Sequence, residues 1–81
     1  MIQTNLTIDG MACSMCEAHI NDVIRSTFSV KKVTSSHRKG TAQILSEEPL
    51  PEPLVREAIE KTGYRVLTFA QEPYVKKRLF G

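Results

Sequence analysis

The chain has 81 residues, enough for one domain, and its 41% hydrophobic and 25% charged residues are typical of a globular protein. Its net charge of +2 is too weak and too dispersed to indicate nucleic-acid binding, which usually needs a concentrated basic face. No apolar run approaches the ~18 residues of a membrane span, and polar residues interrupt the N-terminal apolar positions, so we expect no membrane insertion, no signal peptide and a cytoplasmic location.

The N-terminal part of the chain predicts a strand followed by a helix. Apolar or β-branched residues alternate with polar ones from Ile2 to Asp9, a period typical of a strand with one buried face. From Ser14 the apolar positions follow helical spacing, and Ser14 with Glu17 matches a capping box. The helix is therefore predicted to begin at Ser14, with Cys13 just before it and Cys16 in its first turn. Its apolar positions are Cys16, Ile20, Val23, Ile24 and Phe28.

A hairpin is predicted to follow this helix. Residues 30–36 and 41–45 have the character of strands, and the basic turn at residues 37–40 between them ends on a glycine. We expect His37, in this turn, to be a solvated loop residue. The apolar residues of the two strands are Val30, Val33, Ala42 and Ile44.

A second helix and a fourth strand complete the predicted elements. A stiff, proline-rich linker precedes a short amphipathic helix, and Gly63 lies where a helix commonly ends. Residues 64–70 form the last predicted strand. The linker prolines are Pro49, Pro51 and Pro53, and the apolar residues of the helix are Leu54, Ala58 and Ile59.

The order of these elements predicts the fold class. A strand, helix, strand, strand, helix and strand in succession indicate an α+β protein with a ferredoxin-like βαββαβ sandwich, in which two helices cover one face of an antiparallel sheet. We expect one domain over residues 1–70 and a C-terminal tail of unknown role over residues 71–81.

The two cysteines are the principal candidate functional residues. Cys13 and Cys16 lie too close in sequence to join distant parts of a fold, so in a cytosolic chain they indicate metal binding or redox chemistry. Thiolate is the form that binds metal, and the partial positive charge of a helix N-terminus favours it. Soft sulfur donors select Cu(I), zinc or an iron–sulfur centre.

The number of thiols favours Cu(I) among these metals. A structural zinc site is almost always four-coordinate, and an iron–sulfur cluster typically needs four cysteines, whereas this chain supplies two. Two thiolates suffice for Cu(I) and leave room for a ligand from a partner. A dithiol–disulfide oxidoreductase and a metal-free interaction domain are the alternatives that the residues leave open.

The segment from Gly10 to Cys16 carries a family resemblance. Gly10-Met11-x-Cys13-x-x-Cys16, after a strand and opening a helix, resembles the heavy-metal-associated (HMA) domain, which includes CopZ-type copper chaperones and the metal-binding domains of copper-transporting P-type ATPases. The resemblance covers about residues 3–70. Further agreeing positions are Ile20, Val30, Val33, Ala42, Ile44, Leu54, Ala58, Ile59, Gly63, Tyr64 and Val66.

The resemblance implies roles for individual residues. Cys13 and Cys16 would be the metal ligands, Met11 a buried anchor under the loop, and Tyr64 an aromatic residue close to it. Ala12 stands where zinc- and cadmium-handling relatives often carry a carboxylate, which favours Cu(I). Ag(I), Hg(II) and Zn(II) stay open as other cargoes.

The resemblance also implies a mode of action. The chain would carry soft metal within the cell by thiolate ligand exchange, without acting as an enzyme. Its expected partner is a copper-transporting P-type ATPase or another thiol acceptor, and metal could also bridge two copies of the chain.

Two further residues near the cysteines are minor ligand candidates. Met15 could supply a thioether, although its position between the cysteines favours exposure. His19 could complete a Cys-x-x-Cys-x-x-His set, but we expect it to flank the polar side of the helix.

Overall fold

Six elements make up the fold in the computed structural model, which describes residues 1–74. In chain order they are β1 (Ile2–Asp9), α1 (Ser14–Thr27), β2 (Lys32–Ser36), β3 (Thr41–Ser46), α2 (Glu52–Glu60) and β4 (Arg65–Pro73). Residues 75–81 of the predicted tail lie outside the described residues.

The strands form a single antiparallel sheet in the order β2-β3-β1-β4. Its helix-facing side carries the apolar residues of β1, and α1 and α2 pack against this side and against each other. The ferredoxin-like βαββαβ fold is therefore confirmed. In the part of the chain that the structure describes, neither helix is long and apolar enough to cross a membrane.

Each helix contributes two residues, four positions apart, to the centre of the core. Ile20 and Ile24 of α1 and Val55 and Ile59 of α2 are fully buried. This spacing places both members of a pair on one helix face. The remaining buried hydrophobic residues are Leu6, Ile8, Val33, Ala42, Ile44, Leu50 and Val66.

The apolar face predicted for α2 is wrong by one residue. Leu54 was predicted to face the core, yet its surface is 52% exposed, and Val55 occupies the core instead. The helix begins at Glu52 and includes Pro53 in its first turn, where a missing N–H group loses no hydrogen bond. With this start, Val55 and Ile59 point inward and Leu54 lies on a flank.

The boundaries of three strands differ from those predicted, although β3 differs only by ending one residue later, at Ser46. β2 begins at Lys32, and Val30 packs against the core before the strand starts. β4 continues to Pro73, so residues 71–73 of the predicted tail belong to the sheet, because β1 extends back to Ile2 and pairs with them. The side-chain amide of Gln71 donates hydrogen bonds to the hydroxyl of the fully buried Thr4 (3.2 Å) and to the carbonyl of Leu50 (2.9 Å).

Candidate metal centre

A glycine turn connects β1 to the loop that carries the cysteines. Gly10 has φ +108°, a left-handed conformation that side chains rarely adopt. A Cβ atom at this position would lie 3.2 Å from Cδ1 of Tyr64. Gly10 therefore turns the chain and also lets the Tyr64 ring lie against the start of the loop.

The first helical turn begins where the sequence predicts but is stabilised differently. Cys13 is the extended N-cap residue of α1, and the backbone N–H of Cys16 donates to the Cys13 carbonyl at 3.0 Å. The predicted capping box is wrong. No side-chain cap bond forms among the described residues at this terminus, and the Glu17 carboxylate instead accepts hydrogen bonds from the backbone N–H (2.7 Å) and the ring Nδ1 (2.6 Å) of His37.

Cys13 and Cys16 point their sulfur atoms toward each other. The Sγ atoms lie 4.0 Å apart, and both thiols are free. A disulfide needs a separation of about 2.05 Å, so the pair is in the open dithiol arrangement. With a metal–sulfur bond of about 2.3 Å, two sulfurs on one ion lie at most about 4.6 Å apart, so both atoms can reach the same ion.

The thiol of Cys16 is set up to ionise near neutral pH. A hydrogen bond from the Tyr64 hydroxyl lowers the pKa of Cys16 from 9.0 to about 7, with further contributions from the backbone of Ala12 and Cys13, against a smaller opposing effect of burial. The same hydrogen bond raises the pKa of Tyr64, because the phenol that donates to a thiolate resists losing its proton. The site thus favours a thiolate at Cys16 and a neutral phenol beside it.

The other candidate residues, Met11, Met15, His19 and Tyr64, differ in their burial and in their contacts. Tyr64 lies beside Cys16, and Met11 is half-buried against the core. Met15 is 79% exposed. The His19 ring packs edge-on against Tyr64, with centroids 5.8 Å apart. Within residues 1–74, no His, Cys, Asp or Glu joins the two cysteines in a group of three that could hold a metal ion.

The Glu17–His37 contact was missed at the sequence level. His37 was expected to be solvated, but only 30% of its side chain is exposed and its ring binds the helix. The two residues are 20 positions apart, so a local pattern could not have paired them. The sequence offered only two indications of this pair: an acidic and a basic side chain, and the predicted packing of the helix on the hairpin.

The sequence matches a protein-family model and aligns with part of two longer proteins. The model of the heavy-metal-associated domain matches residues 5–65. The mercuric reductase of Serratia marcescens is 28% identical over 64 residues, and that of Acidithiobacillus ferrooxidans 30% over 63 residues. These alignments cover 79% and 78% of this chain, which spans only 14% and 12% of the length of the two reductases.

The fold is also found in solved structures of small metal-binding proteins. The CopZ metallochaperone superposes with a TM-score of 0.73 at 21% identity, covering 80% of this chain and 98% of CopZ. The yeast copper transporter domain CCC2A, solved in apo and Cu(I)-loaded states, has a TM-score of 0.71 at 26% identity, with 84% and 97% coverage. The N-terminal domain of ZntA in its Zn(II) form gives 0.72 at 17% identity, with 93% and 97% coverage.

Proposed function

Because this chain belongs to the heavy-metal-associated domain family, we propose that it binds one soft metal ion between Cys13 and Cys16 and passes it to a partner. The observation that carries this proposal is the open dithiol, with sulfur atoms 4.0 Å apart at a helix N-terminus. The helix terminus and the hydrogen bond from Tyr64 both favour the thiolate form that metal requires. The chemistry breaks no bond within an organic substrate, so the function is metal transfer rather than catalysis.

Cu(I) is the metal that we propose as the main cargo. Two thiolates satisfy Cu(I), and within the described residues the cysteines have no third His, Cys, Asp or Glu beside them. The Cu(I)-loaded state of CCC2A supports the same choice. Ag(I) shares this chemistry. Zn(II) would need ligands from a partner or a second copy, because it prefers four.

Hg(II) is the principal competitor for the site. It also accepts two thiolates, and the mercuric reductases are relatives at 28% and 30% identity. Both metals are soft, so the donor atoms alone do not separate them.

The transfer itself proceeds by ligand exchange at the exposed side of the loop. Cys13 is exposed and Cys16 is half-buried, so an incoming thiolate approaches from the side of Cys13. It adds to the metal to form a three-coordinate intermediate, and one of the two protein thiolates then leaves and takes up a proton. A second exchange completes the transfer to the partner.

The proposed partner is a copper-transporting P-type ATPase or another protein that presents acceptor thiols. A second copy of the chain could also supply two thiolates and form a metal-bridged homodimer. We place this activity in the cytoplasm, because both thiols must stay reduced to bind metal and the cytoplasm is a reducing compartment.

Metal competition tests the proposal directly. The reduced protein would be titrated with Cu(I), Hg(II) and Zn(II), each against a chelator of known affinity, while native mass spectrometry reads the stoichiometry and the oligomeric state. We expect one Cu(I) per chain, and loss of tight binding in the variants Cys13→Ser and Cys16→Ser. Failure of Cu(I) to bind tightly while both thiols are free would exclude the copper proposal, and preference for Hg(II) would reassign the cargo.

A dithiol–disulfide oxidoreductase is the second candidate function. It is favoured by the pKa of Cys16, about 7, which lies in the range of reactive cysteines in Cys-x-x-Cys motifs. In this reaction the two thiols would become a disulfide while a substrate disulfide is reduced to two thiols. The test is turnover of a disulfide substrate by the metal-free protein, with a small thiol supplied as the reductant that returns the Cys13–Cys16 disulfide to two thiols. Turnover that persists without metal would favour this alternative over metal transfer.

A further inference from the structure

Two polar bridges join α1 to the end of β2 and the turn that follows it. One is the contact between the Glu17 carboxylate and His37, and the other is a hydrogen bond of 2.6 Å from the Ser35 hydroxyl to Oδ1 of Asn21. Glu17 and Asn21 are about one helical turn apart, so both lie on the side of α1 that faces β2 and the turn after it. The two bridges are therefore successive along α1: Asn21 binds β2 itself, and Glu17, one turn nearer to the cysteines, binds the turn that follows β2.

The contact between Glu17 and His37 is the stronger of the two bridges. Oε2 of Glu17 accepts two hydrogen bonds, from the backbone and from the ring of His37, at 2.7 and 2.6 Å. An ionised carboxylate has no hydrogen to donate, so Nδ1 of His37 carries the hydrogen. Only 27% of the Glu17 side chain and 30% of the His37 side chain are exposed, so the contact is partly shielded from water. Hydrogen bonds to a charged acceptor are stronger than neutral ones.

The position of this bridge connects it to the metal centre. Glu17 directly follows Cys16 in the first turn of α1, and the described N-terminus of this helix has no side-chain cap bond. Helix ends without such bonds fray. The bridge restrains the backbone next to Cys16, whose N–H donates to the Cys13 carbonyl at 3.0 Å. Cys16 is therefore positioned through its main chain.

We propose that His37, acting through Glu17, is a positioning residue for Cys16 that sets the separation of the two sulfur atoms and so the affinity for metal. This inference rests on the proposed function of metal binding. Without the bond from the His37 ring, Glu17 keeps only the bond from the His37 backbone, so the first turn is held less firmly and more of the ordering of the thiols must accompany metal binding. In the described structure His37 makes no hydrogen bond to either thiol, so it would act on the site through Glu17.

Three substitutions separate positioning from a general effect on stability. His37→Leu removes the ring donor, and His37→Asn keeps an N–H group at the equivalent position. Ser35→Ala breaks the other bridge, between α1 and β2, and serves as the matched control. Cu(I) affinity would be measured against a competing chelator, together with thermal unfolding and hydrogen exchange of the Cys16 and Glu17 amides in the metal-free protein.

We expect His37→Leu to weaken Cu(I) binding about tenfold, within the range seen when residues that support metal ligands are removed. Faster exchange of the first-turn amides should accompany this loss. His37→Asn should restore both properties, and Ser35→Ala should lower the melting temperature without changing Cu(I) affinity. If His37→Leu fails to fold, His37→Ala gives the same comparison.

The outcomes that would overturn the inference are distinct from failure of the proposed function. Equal Cu(I) affinity in His37→Leu and Ser35→Ala, or no recovery in His37→Asn, would show that His37 contributes to stability alone. Absence of Cu(I) binding by the unsubstituted protein would instead remove the proposed function, and the positioning role with it.

Discussion

Replacing Tyr64 by phenylalanine should raise the pKa of Cys16 from about 7 toward 9.0, because the hydroxyl hydrogen bond is the largest cause of its lowering. At pH 7 a thiol of pKa about 7 is about half ionised, whereas one of pKa 9.0 is about 1% ionised. The thiolate fraction would fall by up to about 50-fold. A more basic thiolate is more nucleophilic by about 6- to 10-fold for this change, so alkylation at pH 7 should slow by about 5- to 8-fold.

The assay is alkylation of the metal-free protein by iodoacetamide as a function of pH, with Cys13 and Cys16 resolved by peptide mass spectrometry. His19→Ala is the matched control, because it removes the ring that packs on Tyr64 but keeps the hydroxyl. The midpoint for Cys16 should move in Tyr64→Phe and stay near pH 7 in His19→Ala. An unchanged midpoint in Tyr64→Phe would refute the reasoning and assign the low pKa to the backbone hydrogen bonds of Ala12 and Cys13.

Three further predictions concern stability. Ile59→Ala should destabilise the fold by about 2–5 kcal/mol in chemical denaturation, whereas Leu54→Ala, at an exposed position of the same helix, should cost far less; similar losses would contradict the packing described. Gly10→Ala should lower the melting temperature and displace Tyr64, seen as a higher pKa of Cys16; no change in either quantity would show that the turn does not depend on its positive φ. Hydrogen bonds from His37 lower the pKa of Glu17 in the folded protein below 4.5, so the ionised carboxylate stabilises the fold above that pH, and this stabilisation is lost as pH falls through the folded pKa. Glu17→Gln should therefore weaken the loss of folding stability on the acid side. The same dependence of stability on pH in both proteins would contradict this prediction.

The sequence was sufficient for the fold because the long elements have clear periods. β1 alternates over its whole length, and the isoleucines of α1 repeat at helical spacing. α2 was harder to predict, because a helix of 9 residues next to prolines permits more than one phase, and Leu54 was assigned to the wrong face. The end of β4 was missed because residues 71–73 have no apolar alternation, and their strand conformation depends on pairing with β1.

The candidate site was predictable only where its parts are close in sequence. Cys13 and Cys16 form a motif within four residues, and the start of α1 followed from it. The capping box would have given the Glu17 carboxylate a hydrogen-bond donor close to it in sequence. In the folded chain the carboxylate instead accepts two hydrogen bonds from His37. A sequence pattern can indicate which neighbouring residues could form a hydrogen bond, but tertiary packing decides whether a residue binds a neighbour or a residue distant in sequence.

The separation of the two sulfur atoms has a consequence for the speed of metal handover. With bonds of about 2.3 Å, two sulfurs of a trigonal ion lie about 4.0 Å apart, and those of a linear ion about 4.6 Å apart. The 4.0 Å between the two sulfur atoms equals the trigonal value. If the proposed exchange passes through a three-coordinate metal, we expect the sulfur atoms to move little in reaching it. For such a site, we expect encounter with the acceptor, rather than motion of the loop, to limit the rate.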